Sequence, residues 1–267
     1  MVVRGDGATL TKIAKTGQTV PEGNGWFNSF SGLQGSENGQ IGIVASVAGV
    51  ATVNNEIKGI YLSDGDAITK IAREFDPIPG TSSYLSTIRN IRLNNSGNVA
   101  FSSDFDGFGG GAGNALGLFR GDGDELRRIA MFGDPIPGST DQFELFETPT
   151  INELGNVAFM ASAVNAQSQR SLGIFTYDDV RGVTAIVREG DELFGSSAIR
   201  LRMANSQSAF NDSGQIAFYF ELSDGRRGVA MTVVPEPTAG IIGFVLLIGI
   251  VIADKDHLKV PREFEHA

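Results

Sequence analysis

Three acidic turns punctuate the chain: Asp64 and Asp66 in SDGD, Asp122 and Asp124 in RGDGDE, and Asp178 and Asp179 in YDD. Carboxylates at alternate positions suit Ca2+, which takes six to eight oxygen ligands. Asp64, Asp66, Asp122 and Asp124 are therefore candidate calcium ligands. The competing reading is that Asp-Gly only supplies hairpin geometry, and none of these turns follows the D-x-[DN]-x-[DN]-G pattern with a later glutamate. Two of the 31 acids meeting across an opening could serve a glycosidase or lyase. Trp26, Phe27 and Phe30 in GNGWFNSF could stack a sugar, although aromatics in a sheet more often fill its core. The glycine-rich DFDGFGGGAGN at 104–114 lacks the Gly-Lys-Ser/Thr ending of a phosphate loop. It reads as a loop between strands, with Asp104 and Asp106 its useful acids.

Other chemistries are closed off. There is no cysteine, and the only two histidines are His257 and His266. The main body thus has no thiol, no Ser-His-Asp triad and no histidine-based zinc site. A net charge of −10 without a Lys/Arg run argues against a nucleic-acid partner. Divalent cations, or cationic groups on a partner, suit that charge better.

What must position any such site is a repeat. LNNSGNVAF (93–101), INELGNVAF (151–159) and FNDSGQIAF (210–218) share one turn, with Asn94, Asn152 and Asn211 first and Gly97, Gly155 and Gly214 three residues later. SENGQIGI is a weaker copy carrying Ser36 and Gly39. The first positions are 58, 58 and 59 residues apart. FDPIPG, GDPIPG and GDELFG keep the same beat with Asp76, Asp134 and Asp191, and GQTVPEG has Gln18 there. GIYLSDGDAITKIA, GLFRGDGDELRRIA and GIFTYDDVRGVTAIV form a third phased motif. The chain opens partway through it and closes on GVAMTVV. The RGDG at Arg4–Gly7 and Arg120–Gly123 is one of its turns.

Each unit reads as strands. Asn or Ser opens a type I turn by bonding its own backbone, and Gly takes the last position. The following V-A-F run predicts a strand apolar on both faces, with Val99 and Phe101 on one and Ala100 on the other. YLSDGDAITKIA reads as a hairpin, ended by the prolines of PIPG. A further strand is expected before each Asn, as in STIRNIRL and ELFETPTI. Sheets that bury both faces on their neighbours suit a propeller, whose usual range starts at four blades. The expected fold is all-β, a β-propeller-like repeat of about four four-stranded antiparallel blades over residues 1–233. An incomplete, open arc of blades is the alternative.

The N-x-x-G-x-x-A-F copies resemble the bacterial tandem-repeat family named for that motif. The resemblance implies a predicted exported protein without an established catalytic activity. Residues 234–267 resemble a PEP-CTERM sorting signal: Val234, Pro235, Glu236 and Pro237 match V-P-E-P, and an uncharged apolar segment runs from Ala239 to Ala253. That likeness implies recognition by an exosortase-type enzyme and delivery to the cell surface or extracellular matrix of a Gram-negative-type bacterium. The usual arginine cluster is replaced by Lys255, Lys259 and Arg262 diluted with acids. Physically, 239–253 is expected to be an apolar, membrane-inserting helix, though shorter than the ~20 residues of a comfortable span. MVVRGDGATL has no cationic and apolar leader, so the natural start is expected upstream. Together these point to a non-catalytic exported protein that binds or builds, with extracellular polysaccharide or surface proteins as partners. A surface polysaccharide hydrolase or lyase is one alternative, and a calcium-dependent adhesion module another.

Overall fold

The computed structural model describes residues 1–51, 55–106, 116–204, 209–233, 246–247 and 251–253. Among them there is no α-helix, and the repeat is written in antiparallel sheets. β1 (Val2–Gly5) and β2 (Leu10–Ala14) form an opening pair. Unit I is β3 (Trp26–Gly35), β4 (Ile41–Ala48), β5 (Glu56–Ser63) and β6 (Ile68–Arg73), and unit II is β7 (Leu85–Leu93), β8 (Val99–Phe105), β9 (Gly117–Gly121) and β10 (Leu126–Met131). Both are simple four-stranded meanders.

Unit III has β11 (Gln142–Phe146) and β12 (Thr150–Ile151) sharing the first place, then β13 (Val157–Val164), β14 (Arg170–Asp178) and β15 (Gly182–Arg188). Its first strand is split where Pro149 lies, because proline cannot donate to a ladder. Unit IV comprises a short β16 (Glu192–Leu193), then β17 (Ser196–Met203), β18 (Gln215–Leu222) and β19 (Arg227–Val233). On its outer edge lie β20 (Leu246–Leu247) and β21 (Val251–Ala253), both bonded to β19.

The core follows the alternation of the second strands. Val99 and Phe101 pack with Ile60, Leu62 and Ile88 between units I and II. Ala100, on the opposite face, joins Phe143, Phe159 and Phe175 between units II and III. Ala158 and Met160 of β13 continue the series into unit IV, and Ile43, Ala45 and Val47 of β4 cover the opening pair. Each of these strands is a wall shared by two cores, which is why both of its faces are apolar. A bulge recurs where the fourth strand meets the third, beside Tyr61, Phe119 and Phe175, and such bulges increase local twist.

Two expectations are corrected. Among the described residues no closed ring is found: the principal packing joins consecutive units, and the opening pair lies against unit I instead of completing the sheet of β19. The apolar helix expected over 239–253 is not supported either. Its described positions are strands, because the outer edge of β19 offers unpaired backbone groups that a neighbouring segment can satisfy. The rest of that segment lies outside the described residues, and among the described residues no helix is long and apolar enough to cross a membrane.

Candidate functional site

The four N-x-x-G turns lie at one end of the sheets and do two jobs each. Within the turn, Asn94, Asn152 and Asn211 accept through Oδ1 the backbone N–H four residues on, at 2.8, 2.9 and 3.0 Å. Ser36 does the same through Oγ at 3.0 Å. The glycine N–H returns to the first residue's carbonyl in all four, and Gly39, Gly97, Gly155 and Gly214 take φ between +72° and +87°. Glycine is the residue that reaches that region without steric cost.

The second job joins units. Asn94 Nδ2 donates to the Asn152 carbonyl at 2.9 Å, and Asn152 Nδ2 donates to the Asn211 carbonyl at 3.1 Å. Ser36 lacks an amide, and Asn38 replaces it by donating to the Asn95 carbonyl. A second rail runs beside the first. The N–H of Glu37 bonds Asn95 Oδ1 at 2.7 Å, that of Asn95 bonds Glu153 Oε2 at 2.8 Å, and that of Glu153 bonds Asp212 Oδ1 at 2.7 Å. Both rails point the same way, each turn donating to its successor.

The turns enclose a cavity of about 310 Å³, whose lining includes Ser36, Glu37, Asn95, Asn152, Glu153, Asn211 and Asp212. It is acidic and amide-rich. Sequence reading found its turn residues but missed the side chains after them. The available signal was that Glu37, Asn95, Glu153 and Asp212 all carry a side-chain oxygen.

A second anchor comes from the RGDG turns. Arg120 Nη1 donates to the Gly155 carbonyl at 2.6 Å, and Arg4 reaches the Gly39 carbonyl in the same way. The buried Arg120 guanidinium also holds both oxygens of Asp179, at 2.7 and 2.9 Å, over the Tyr177 ring. Leu62 takes the corresponding place in unit I, against Gly97. Burial pushes the Asp179 carboxyl up, but Arg120, Tyr177 and Arg127 outweigh it and hold it below its ordinary value. A carboxylate whose folded pKa is depressed contributes stability above its unfolded pKa and loses it as pH falls through the folded one. Thermal melts should therefore show D179N less stable than wild type near neutral pH. That gap should close below the ordinary aspartate value of 3.8. A gap independent of pH would assign the bond's contribution to something other than charge.

The aspartate turns are structural in their geometry. Asp64 Oδ1 accepts the N–H groups of Asp66 and Ala67, and Asp122 Oδ1 those of Asp124 and Glu125. Those bonds hold the Asp64 carboxyl below its ordinary value. Asp178 caps Val180 and Arg181 likewise. Among the described residues no three acidic, His or Cys side chains group as metal ligands. Addition of Ca2+ or of a chelator should leave the melting temperature unchanged; a shift of several degrees on either would return these turns to the calcium reading.

The aromatic trio is divided: Phe27 is fully buried, Phe30 packs on the core, and Trp26 is exposed. Asp104 is buried with Arg89 at 2.7 Å, while 107–114 of the glycine-rich stretch lies outside the described residues. So do Val234, Pro235, Glu236 and Pro237.

One buried polar group breaks the repeat. Tyr61 stands where units II and III have Phe119 and Phe175, and its buried hydroxyl meets the Arg73 side chain without a well-aligned hydrogen bond. Burial and then the Glu22 charge push its pKa up, with Arg73 pulling the other way. Tyr61→Phe should leave stability unchanged or raise it by about 1 kcal/mol, as read by urea unfolding. A loss above that size would show that the hydroxyl is satisfied in solution.

Fold and site define a tandem-repeat, all-β protein whose units are joined through their turns. The chain matches the model of a family of unknown function, DUF7453, over residues 2–241 and belongs to that family. No curated protein matches it.

Proposed function

We propose that this chain is a non-catalytic, exported bacterial protein of the cell surface or extracellular matrix, with a binding or structural role. Its units form a propeller-like arc, and residues 234–267 act as a PEP-CTERM-type sorting segment read by an exosortase-type enzyme. The observation that carries the binding role is the four-turn cavity. Two of its three acids, Glu153 and Asp212, hold backbone N–H groups of the preceding turn, which makes them parts of a rigid concave frame. The address rests on V-P-E-P and the uncharged run from Ala239 to Ala253.

The test is to express residues 1–267 behind a secretory leader in a Gram-negative host that has an exosortase, beside a copy ending at Val233. The intact chain should reach the cell surface or matrix and the shortened one should not. Identical distribution of the two would sink the sorting role.

A polysaccharide hydrolase or lyase is the second reading, favoured by one observation: Glu37, Glu153 and Asp212 line the same cavity. Turnover of a glycan by wild type, lost in E37Q, would replace the non-catalytic reading with this one.

A further inference from the structure

We infer that Phe75 and Tyr84 form a stacking platform for a neutral glycan, a second site apart from the four-turn cavity that extends the binding role proposed above to a ligand class. Phe75 is where the repeat breaks its own backbone rule. After β2, β6, β10 and β15 alike, one N–H donates across to the first long strand of the following unit, from Gly17, Phe75, Gly133 and Gly190, each at 2.8 Å. The three glycines take φ of +77°, +82° and +99°, and Phe75 takes +72°. A bulky residue in that region is a real outlier, and strain of this kind clusters at sites that use it.

Burial does not compensate for the strain. Phe194, another phenylalanine at positive φ, seats its ring on Phe220 and the core of unit IV. Phe75 instead leaves 56% of its surface open and leans on Tyr84, itself 41% exposed. Their ring centroids are 5.7 Å apart with planes at 39°. Two part-exposed rings in contact offer an apolar surface of the kind on which sugar C–H groups pack. Tyr84 is pinned on its far side, where its N–H donates to Asp106 Oδ1 at 2.9 Å and its carbonyl accepts from the Asp106 N–H at 3.1 Å. That carboxylate has lone pairs to spare for a sugar hydroxyl. The exposed Ser82 adds a hydroxyl on the adjoining loop, whose turn Thr81 closes through the Ile78 carbonyl and the Ser83 N–H.

The patch suits a sugar better than a protein. The platform is a single pair of rings, whereas protein-binding sites expose larger contiguous apolar areas. A chain of charge −10 also favours a neutral over an anionic polymer.

The test uses the full chain, with calorimetric titration of hexasaccharides of β-1,4-glucose, β-1,3-glucose, α-1,4-glucose and β-1,4-N-acetylglucosamine. Wild type should bind at least one. Phe75→Gly installs the residue of the other three units, so it should melt at or above the wild-type temperature yet bind at least tenfold more weakly; Tyr84→Ala should weaken binding similarly. If wild type binds and F75G binds equally well, the platform is wrong while the glycan-binding role stands. If wild type binds none of the four, the platform falls, and the localisation experiment decides separately whether the exported reading survives.

Discussion

Asn94→Ala is expected to lower the free energy of unfolding by about 2–4 kcal/mol, measured by urea titration. Asn94 is fully buried, and its side chain satisfies the Asn98 N–H and the Asn152 carbonyl at 2.8 and 2.9 Å. Alanine strands the Asn98 N–H, at about 1–3 kcal/mol, and takes from the Asn152 carbonyl one of its two donors, worth about 1 kcal/mol more, the other being the Gly155 N–H. For a chain of this size the melting temperature should fall by roughly 2–4 °C per kcal/mol. Two companion variants separate the jobs. Asn94→Ser should recover about half of the loss, because Ser36 shows that a hydroxyl can close the turn but cannot reach the next unit. Asn94→Asp should be the worst at neutral pH, since it aims a buried carboxylate oxygen at a carbonyl. It should improve in acid, where a protonated carboxyl donates to the Asn152 carbonyl. An alanine variant within about 0.5 kcal/mol of wild type would mean that the ladder between turns does not hold the units together.

Phe159→Ala is expected to cost still more, about 3–5 kcal/mol. The ring is fully buried between Phe143, Phe146 and Phe175, with centroids 6.2, 6.0 and 5.5 Å away. Its partners come from two other strands of unit III, β11 and β14, and that aromatic set is also the face that meets unit II. A cavity there loosens a sheet and its seat on the neighbour together. Phe101→Ala, whose one close ring among the described residues is Phe119 at 5.5 Å, should cost less. In stacked repeats stability is a sum of unit terms and nearest-neighbour interface terms. Hydrogen exchange should accordingly show unit III and its two interfaces opening first in F159A. Uniform loss of protection across all units would instead indicate a single cooperative block.

Much of this architecture was open to a reader of the letters. The Asn-to-Asn period marked the turns, and V-A-F with its two apolar faces marked a strand walled in on both sides. Asp-Gly marked hairpins whose carboxylates prove to cap their own turns. What could not be read depends on pairs far apart in the chain. The Nδ2 of Asn94 looks locally redundant, because a turn needs only Oδ1; its partner is 58 residues away. Arg120 looked like part of a turn, and its real target, the Gly155 carbonyl, is 35 residues on. The split of the first strand of unit III was visible as Pro149 but was outweighed by the apolar pattern of ELFETPTI. The strands at 246–247 and 251–253 were hidden because an uncharged run has no period to distinguish helix from sheet. Phe75 carries no sequence signal by itself. It stands out only once Gly17, Gly133 and Gly190 are seen to share its backbone role.

The one-way polarity of the turn ladder bears on how such a gene can change length. Asn94 to Asn152 and Asn152 to Asn211 use the same atoms in the same direction, so these modules carry a plug on one side that fits the socket of the next, while the first turn makes its joint through Asn38. Copying or excising one whole period regenerates a working joint at the seam, whereas a shift of a few residues destroys it. The molecule is thus built to grow or shrink in whole modules, with its neighbours undisturbed.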